Sequence, residues 1–264
     1  MPYIQASHRF HYTHTSGSGR PIVLIHSTGI GSRQWAAYSK LTDRPLLAID
    51  LLGYPPSDPW EASFSISADL EGTEKLVLNQ EQPVDLIGHS YGGFIAMQIA
   101  HKNPSAIHSM LLHEPVAWGS LYSSNRADLK EEFDQVCDSF FSHRGSIDPD
   151  SWLNGFVDFW NVPGSWANLP EKTKAIWRNQ FHKVFAEVSS LCLDRTPLSH
   201  WATIKHPTWI TMSSGAPEPE KEVCRLLSET MPGAKLLKHS GGHLSPITHF
   251  SELSPIINRW LELS

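Results

Sequence analysis

Cysteine is scarce in this chain of 264 residues: Cys137, Cys192 and Cys224 stand far apart, with no C-x-x-C spacing. An odd, sparse set argues against a disulfide scaffold and against a cysteine-rich zinc site. No stretch approaches the roughly 20 apolar residues that a membrane helix needs. The first residues, MPYIQASHRFHYTHTSGSGR, hold no apolar core of the secretory kind, so no leader is expected and a cytoplasmic location is the default. Runs of Lys or Arg are missing too, and the net charge is −6. Phosphate binding wants a basic face, so neither nucleic acid nor an anionic membrane is an expected partner. A small molecule is, and nothing in the sequence reports on oligomeric state. Internal repeats and low-complexity tracts are also absent.

What the chain has is a globular composition, 40% hydrophobic and 18% charged, with 15 His and 10 Trp. The histidines are scattered. His8, His11 and His14 recur at a spacing of three, but no carboxylate or Cys joins them at ligand spacing, so they read as exposed residues and no metal or other cofactor is predicted.

Short continuous apolar runs recur: PIVLIH (Pro21 to His26), PLLAID (Pro45 to Asp50), VDLIGH (Val84 to His89) and SMLLHE (Ser109 to Glu114). Unbroken apolarity is what strands covered on both faces show. Helix-like segments separate them: SRQWAAYSKLT, SISADLEGTEKLVLN and FIAMQIAHKNP. Strand alternating with helix predicts an α/β fold, a mostly parallel twisted sheet with helices on both faces. RFHYTHT reads as an antiparallel lead-in strand.

From Ala117 the rhythm breaks into helix-like, aromatic-rich sequence, and it resumes with PTWITM, a helix over EKEVCRLLSETMPG, the strand AKLLKH and a closing helix containing Pro255. The predicted organisation is a core of residues 1–116 and 203–264, with a helical aromatic-rich cap, residues 117–202, inserted between two strands. A cap must roof the pocket, and pockets are mostly apolar. Trp118, Trp152, Phe156, Phe159 and Trp160 are therefore candidates to face a substrate, and Trp35, after the first parallel strand, joins them.

The segment GHSYG, Gly88 to Gly92, is a G-x-S-x-G pattern with a strand before it and a helix after. Its glycines answer a steric need, because side chains flanking a serine on so tight a turn would collide. The turn lifts the Ser90 hydroxyl to the carboxyl end of a strand and sets the Tyr91 N–H at a helix N-terminus, facing any developing negative charge. A serine nucleophile needs a base, and His243, in HSGGHLSPITH after the last strand, is the candidate, with His249 a lesser one. A second oxyanion donor is expected from HSTGIGSRQW, where Thr28 N–H is the choice and Gly29 and Gly31 allow close approach.

These segments, with DLLGYPPSD and HEPVAW, stand in an order that resembles the α/β-hydrolase fold family over essentially the whole length. Ser27 replaces the common Gly after His26, and Pro55-Pro56 stands where a Gly is frequent. The resemblance implies a chain order of nucleophile, acid and histidine, no cofactor, and a hydrolase acting through an acyl-enzyme on an ester or thioester of a small to medium apolar molecule. It also implies alternatives on the same triad: a C–C bond hydrolase, a lyase or a cyclase. From another class comes a ligand receptor or non-catalytic scaffold. Dehalogenases and epoxide hydrolases usually carry Asp in place of Ser90.

The acid departs from the pattern. Many relatives place it about nine residues past the proline of PTWITM, which here falls on Ala216, with Ser213 where relatives have Gly. Two substitutes exist. Glu218 follows two residues later, and Glu114 ends the strand after the nucleophile helix, where some relatives carry theirs. Glu114 is preferred, because a buried strand-end carboxylate needs a partner. Asp50 is expected to anchor loops only, and Asp85 lies at the wrong end of its strand.

Overall fold

The computed structural model describes residues 2–61, 65–141 and 148–264. Residues 62–64 of the expected core and 142–147 of the expected cap lie outside them. Eight strands form one sheet: β1 (Tyr3–Gln5), β2 (Arg9–Thr15), β3 (Ile22–Ile25), β4 (Leu46–Ile49), β5 (Val84–His89), β6 (Ile107–His113), β7 (Thr208–Ser213) and β8 (Ala234–His239). Their spatial order is β1-β2-β4-β3-β5-β6-β7-β8. β1 and β2 are antiparallel, and every later pairing from β4–β3 onward is parallel.

The helices are α1 (Ile66–Leu78), α2 (Tyr91–Lys102), α3 (Ala127–Phe141), α4 (Pro149–Trp160), α5 (Glu171–Leu193), α6 (Leu198–Trp201), α7 (Glu218–Thr230), α8 (Ser245–Thr248) and α9 (Phe250–Leu261). The four from α3 to α6 fall between β6 and β7, in the aromatic-rich stretch. Crossovers through α1, α2 and α7 join the parallel strands, as the alternating sequence predicts.

The strand register explains why the apolar runs are unbroken. Leu24 lies opposite Ala48 and Ile87, and all three side chains belong to a core cluster shared with Leu253, Ile257 and Trp260 of α9. Their neighbours Val23, Leu47 and Leu86 point the other way, into a larger cluster with residues of α1, α2 and α7. The central strands β3, β4 and β5 are thus apolar on both faces because each face has its own core.

Three expectations need correction. SRQWAAYSKLT forms two 3-10 turns, Ser32–Trp35 and Tyr38–Lys40, rather than an α-helix. Side-chain anchors hold this segment: Ser32 donates to Asp50 from N (2.7 Å) and Oγ (2.9 Å), and Gln34 Oε1 accepts from Ser27 N (3.1 Å). Bonds that tie the segment to Asp50 and Ser27 compete with the helical ladder. His11 is buried, not exposed, its Nδ1 2.7 Å from Asp50 Oδ2, while His14 is exposed. Finally, two of the sparse cysteines do pair: a disulfide joins Cys137 of α3 to Cys192 of α5, and Cys224 stays free and buried.

Pro255 sits inside α9. The Ser251 carbonyl, which Pro255 cannot serve, accepts from Ser254 Oγ at 3.3 Å. Among the described residues no helix is long and apolar enough to cross a membrane.

Trp201 of α6 has no exposed surface and packs edge-on to Phe94 of α2, ring centroids 5.9 Å apart, so it joins the helices after β6 to the sheet's main core. Trp201→Ala is expected to cost about 3–5 kcal/mol, read as a lower urea midpoint. A shift below about 1 kcal/mol would show that the contact does not bind the two parts together.

Candidate active site

The sheet itself selects a place for ligands. From β3 the chain moves outward to β4, then crosses back to β5 on the other side of β3. At such a reversal the loops leaving the two neighbouring strands part and open a crevice at their carboxyl ends. The loop after β3 carries Ser27 to Gly31, and the turn after β5 carries Ser90.

That turn is as tight as its glycines suggest. A Cβ on Gly92 would lie 2.1 Å from Ile25 O, and one on Gly88 2.5 Å from Gly92 O. Ser90 has φ 55° and ψ −120°, between strand and helix, and its carbonyl accepts from Gly93 N (2.9 Å) and Phe94 N (3.1 Å). Among the described residues, the non-glycine residues in the left-handed region are Ser90 and Glu114, the latter at φ 44°. Strain of this kind costs roughly 1–3 kcal/mol a residue and concentrates at functional sites.

Glu114 follows β6 and is fully buried. One carboxylate oxygen accepts from Ser213 N at 2.6 Å, and the other lies 2.7 Å from His243 Nδ1. Burial pushes its carboxyl up, but His113, His243 and the Ser213 N–H outweigh burial and hold it at about 2. His113, dominated by burial, drops to about 3, so at neutral pH it is uncharged and the work falls to His243 and Ser213. Burial likewise depresses His89, whose ring centroid is 4.8 Å from that of His243. An imidazolium formed at His243 would therefore meet no like charge from these two neighbours.

His243 is 4% exposed and stacks on Trp160 of α4, centroids 3.7 Å apart and planes at 19°. His113 Nε2 also lies 3.2 Å from His243 O, steadying the loop that carries it. Ser90 and His243 line the same cavity of about 570 Å³, together with Thr28 and Gly29. Within the loop after β3, Ser27 N–H is engaged by Gln34 (3.1 Å) and Gly29 N–H by the Tyr54 hydroxyl (2.8 Å). Thr28 N–H lies between them. His26 fixes this loop: Leu51 N donates to its Nε2 (3.0 Å), so its Nδ1 carries the proton that goes to Ser27 O (2.8 Å).

The other candidates separate cleanly. Phe156 and Trp160 line the cavity. Trp118 and Phe159 pack against Trp160 with centroids 5.8 and 5.0 Å away, and Trp152 stacks on Phe156 at 5.3 Å, so these three form a layer behind the wall. Trp35 belongs to the core on the opposite face of the sheet. Glu218 is exposed and paired with Lys221 at 2.7 Å, and His249 is exposed beside Thr248. Asp50 braces the loop after β3, as expected. Asp85 is engaged by Arg44, Ser109 and His108 at the far end of β5.

Sequence reasoning missed Trp177, whose ring occupies the space that a Cβ on Gly29 would need, 2.3 Å away. The available signal was Gly29 itself, whose missing side chain leaves room for a neighbour. It also missed Glu220, two residues past Glu218 on the inner face of α7, which accepts from Trp118 Nε1 at 2.9 Å. Burial first, then Glu114, raise its carboxyl well above the usual range.

One group among the described residues has metal-ligand character, His113, Glu114 and His239, with donor atoms within 4.8 Å of one another. Both Glu114 oxygens already serve His243 and Ser213, and both His113 nitrogens face Thr211 and His243, so two of the three residues are spent on hydrogen bonds.

A model of the alpha/beta hydrolase family matches residues 22–252. The chain belongs to that family. It is 40% identical over 101 residues to an uncharacterized protein of Mycobacterium tuberculosis, covering 37% of this chain and 29% of that protein. It is 35% identical over 102 residues to a protein of the same species named Lipase LipV, covering 38% of each. The chain thus matches about a third of the length of these relatives. Among solved structures it resembles Est816, described as an N-acyl homoserine lactone degrading enzyme, with a TM-score of 0.76, 18% identity, and coverage of 98% of this chain and 99% of that one. At that identity the likeness speaks for the fold.

The Glu114 bond gives a pH test. Its folded value, about 2, lies below the ordinary 4.5, so its stabilisation is present above 4.5 and is lost as pH falls toward 2. Wild type is expected to lose stability across that window more steeply than Glu114→Gln in urea titrations. Parallel curves would refute the assignment.

Proposed function

We propose that the protein is a serine hydrolase that cleaves an uncharged ester or thioester of a largely apolar molecule through an acyl-enzyme. The observation that carries this reading is the 2.7 Å contact between His243 Nδ1 and Glu114, on an imidazole that shares its cavity with Ser90.

Ser90 Oγ attacks the carbonyl carbon while His243 Nε2 takes its proton. Glu114 keeps the Nδ1 proton in place and stabilises the imidazolium. The carbonyl oxygen, now negative, is met by the N–H groups of Thr28 and Tyr91, the latter at the positive end of α2. The tetrahedral intermediate collapses, and His243 returns the proton to the departing alcohol or thiol. Water then attacks the acyl-enzyme by the same steps, with His243 again as base.

The cavity supports the substrate class. Its size lies in the range for a small organic molecule. Phe156, Trp160, Leu169 and Trp177 supply apolar wall, while Asn161 and Asn168 supply neutral polar contacts. Among the described residues lining it there is no Lys, Arg, Asp or Glu. A carboxylate-bearing substrate would lie there without a counter-ion. The strain kept at Ser90 and Glu114 favours an enzyme over a receptor, since binding alone needs neither residue in that conformation.

Turnover of neutral p-nitrophenyl and thioester acyl chains tests this. Ser90→Ala is expected to reduce kcat by at least about 10³-fold, and Glu114→Gln by roughly 10²–10⁴-fold. Acyl chains ending in a carboxylate should react more slowly than neutral ones of equal length. Undiminished turnover in Ser90→Ala, or tight binding of these compounds with no turnover, would end the proposal.

A further inference from the structure

Behind the loop after β3 lies a charged cluster with almost no solvent contact. Lys183 and Glu187 come from α5, and Asp69 comes from α1; their side chains are 3%, 0% and 0% exposed. Lys183 Nζ is 2.6 Å from Asp69 Oδ2 and 3.4 Å from Glu187 Oε1. In sequence Lys183 and Glu187 look like an ordinary surface pair four residues apart. In the fold they are the polar heart of the contact of α5 with α1 and the loop after β4.

The cluster leads outward along two lines. On one, Glu187 Oε2 accepts from the Tyr54 hydroxyl at 2.9 Å, and that hydroxyl accepts from Gly29 N at 2.8 Å. On the other, Asp69 Oδ2 accepts from the Tyr91 hydroxyl at 2.9 Å, and Asp69 Oδ1 from Leu52 N at 2.9 Å. Gly29 is the residue after Thr28, and Tyr91 is the residue after Ser90. One end of the network therefore holds the backbone next to Thr28 and the other the side-chain hydroxyl of Tyr91, the two residues that supply oxyanion N–H groups in the reaction proposed above.

We propose that Glu187 and Lys183 are positioning residues for the oxyanion hole, acting through Tyr54 on the Thr28–Gly29 peptide and through Asp69 on Tyr91; this rests on the serine-hydrolase reading. None of these four side chains touches the substrate. Their effect is to make the geometry of the donors depend on how α5 is seated, so the helix that carries Thr173 and Trp177 in the cavity wall also aligns the donors.

The surroundings of Glu187 agree with this role. Burial raises its carboxyl most and Asp69 adds to that; Lys183, Thr28 and Tyr54 oppose them, and the carboxyl stays above its usual range. Its Oε2 accepts from Tyr54. An amide can do the same.

The test compares Tyr54→Phe, Glu187→Leu and Glu187→Gln in the full chain. The readouts are the rate of Ser90 labelling by a fluorophosphonate, kcat and KM for p-nitrophenyl esters, and the melting temperature. Loss of a whole oxyanion donor costs about 10²–10³-fold, so loss of its support is expected to slow labelling and kcat about 10-fold, with KM within about twofold. Glu187→Gln should recover most of the loss of Glu187→Leu. Tyr54→Phe with Glu187→Leu should be no slower than the slower of the two single variants, since Tyr54 is held by Glu187. If Glu187→Leu does not fold, Tyr54→Phe decides by itself. A folded Tyr54→Phe protein labelled at the wild-type rate, or multiplicative losses in the double variant, would overturn the proposal while leaving the hydrolase intact. A wild-type chain that takes no label at Ser90 would overturn both.

Discussion

A fully buried carboxylate is costly unless each of its oxygens is met, and Glu114 meets that requirement with one backbone N–H and one imidazole. The rest of the site follows from this pairing. Ser213 has to end β7 beside the end of β6, which the parallel register provides. The loop of His243 has to return over the strand ends, where His113 and Trp160 hold it from below and above. The left-handed backbone at Glu114 turns its side chain toward that loop at a local energetic cost, so the bond to His243 has to offset both strain and desolvation.

The sheet and the helices after β6 contribute different things. The sheet fixes the turn of Ser90 and the loop after β3 on either side of the reversal in strand order, with a precision set by backbone contacts that only glycine permits. The helices contribute shape and an apolar wall. Phe156, Trp160 and Trp177 face the cavity, and a second aromatic layer packs behind them; an apolar wall of this kind strengthens the electrostatic interactions beside it.

Much of this was legible in the sequence where it depends on local pattern. The buried strands, the glycine-flanked Ser90 and the glycine-rich loop of His243 each announce themselves within about ten residues. Choosing Glu114 over Glu218 took an argument about burial, and the two differ in the fold as that argument requires: one is fully buried on an imidazole, the other exposed on Lys221. Local pattern fails when a side chain's partner comes from far along the chain. Lys183 and Glu187 carry the spacing of a solvated helix pair, and nothing nearby betrays that Asp69, 114 positions earlier, buries them. Glu220 is concealed for the same reason by Trp118. Trp35 was misplaced because composition shows that an aromatic is buried, not which face of the sheet buries it. The 3-10 turns after β3 were unreadable because long-range side-chain anchors, Asp50 among them, decide the backbone there.

The Cys137–Cys192 bond has a mechanical meaning. It closes a stretch of 55 residues that contains all of α4 and most of α5, tying the far end of α5 to α3. Two corners of the roof are thereby riveted, while the turn from Asn161 to Pro170, joining α4 to α5, has no covalent brace. That turn brings Asn161, Ser165 and Asn168 into the lining of the cavity. The covalent tie and the polar turn thus stand at opposite ends of α5.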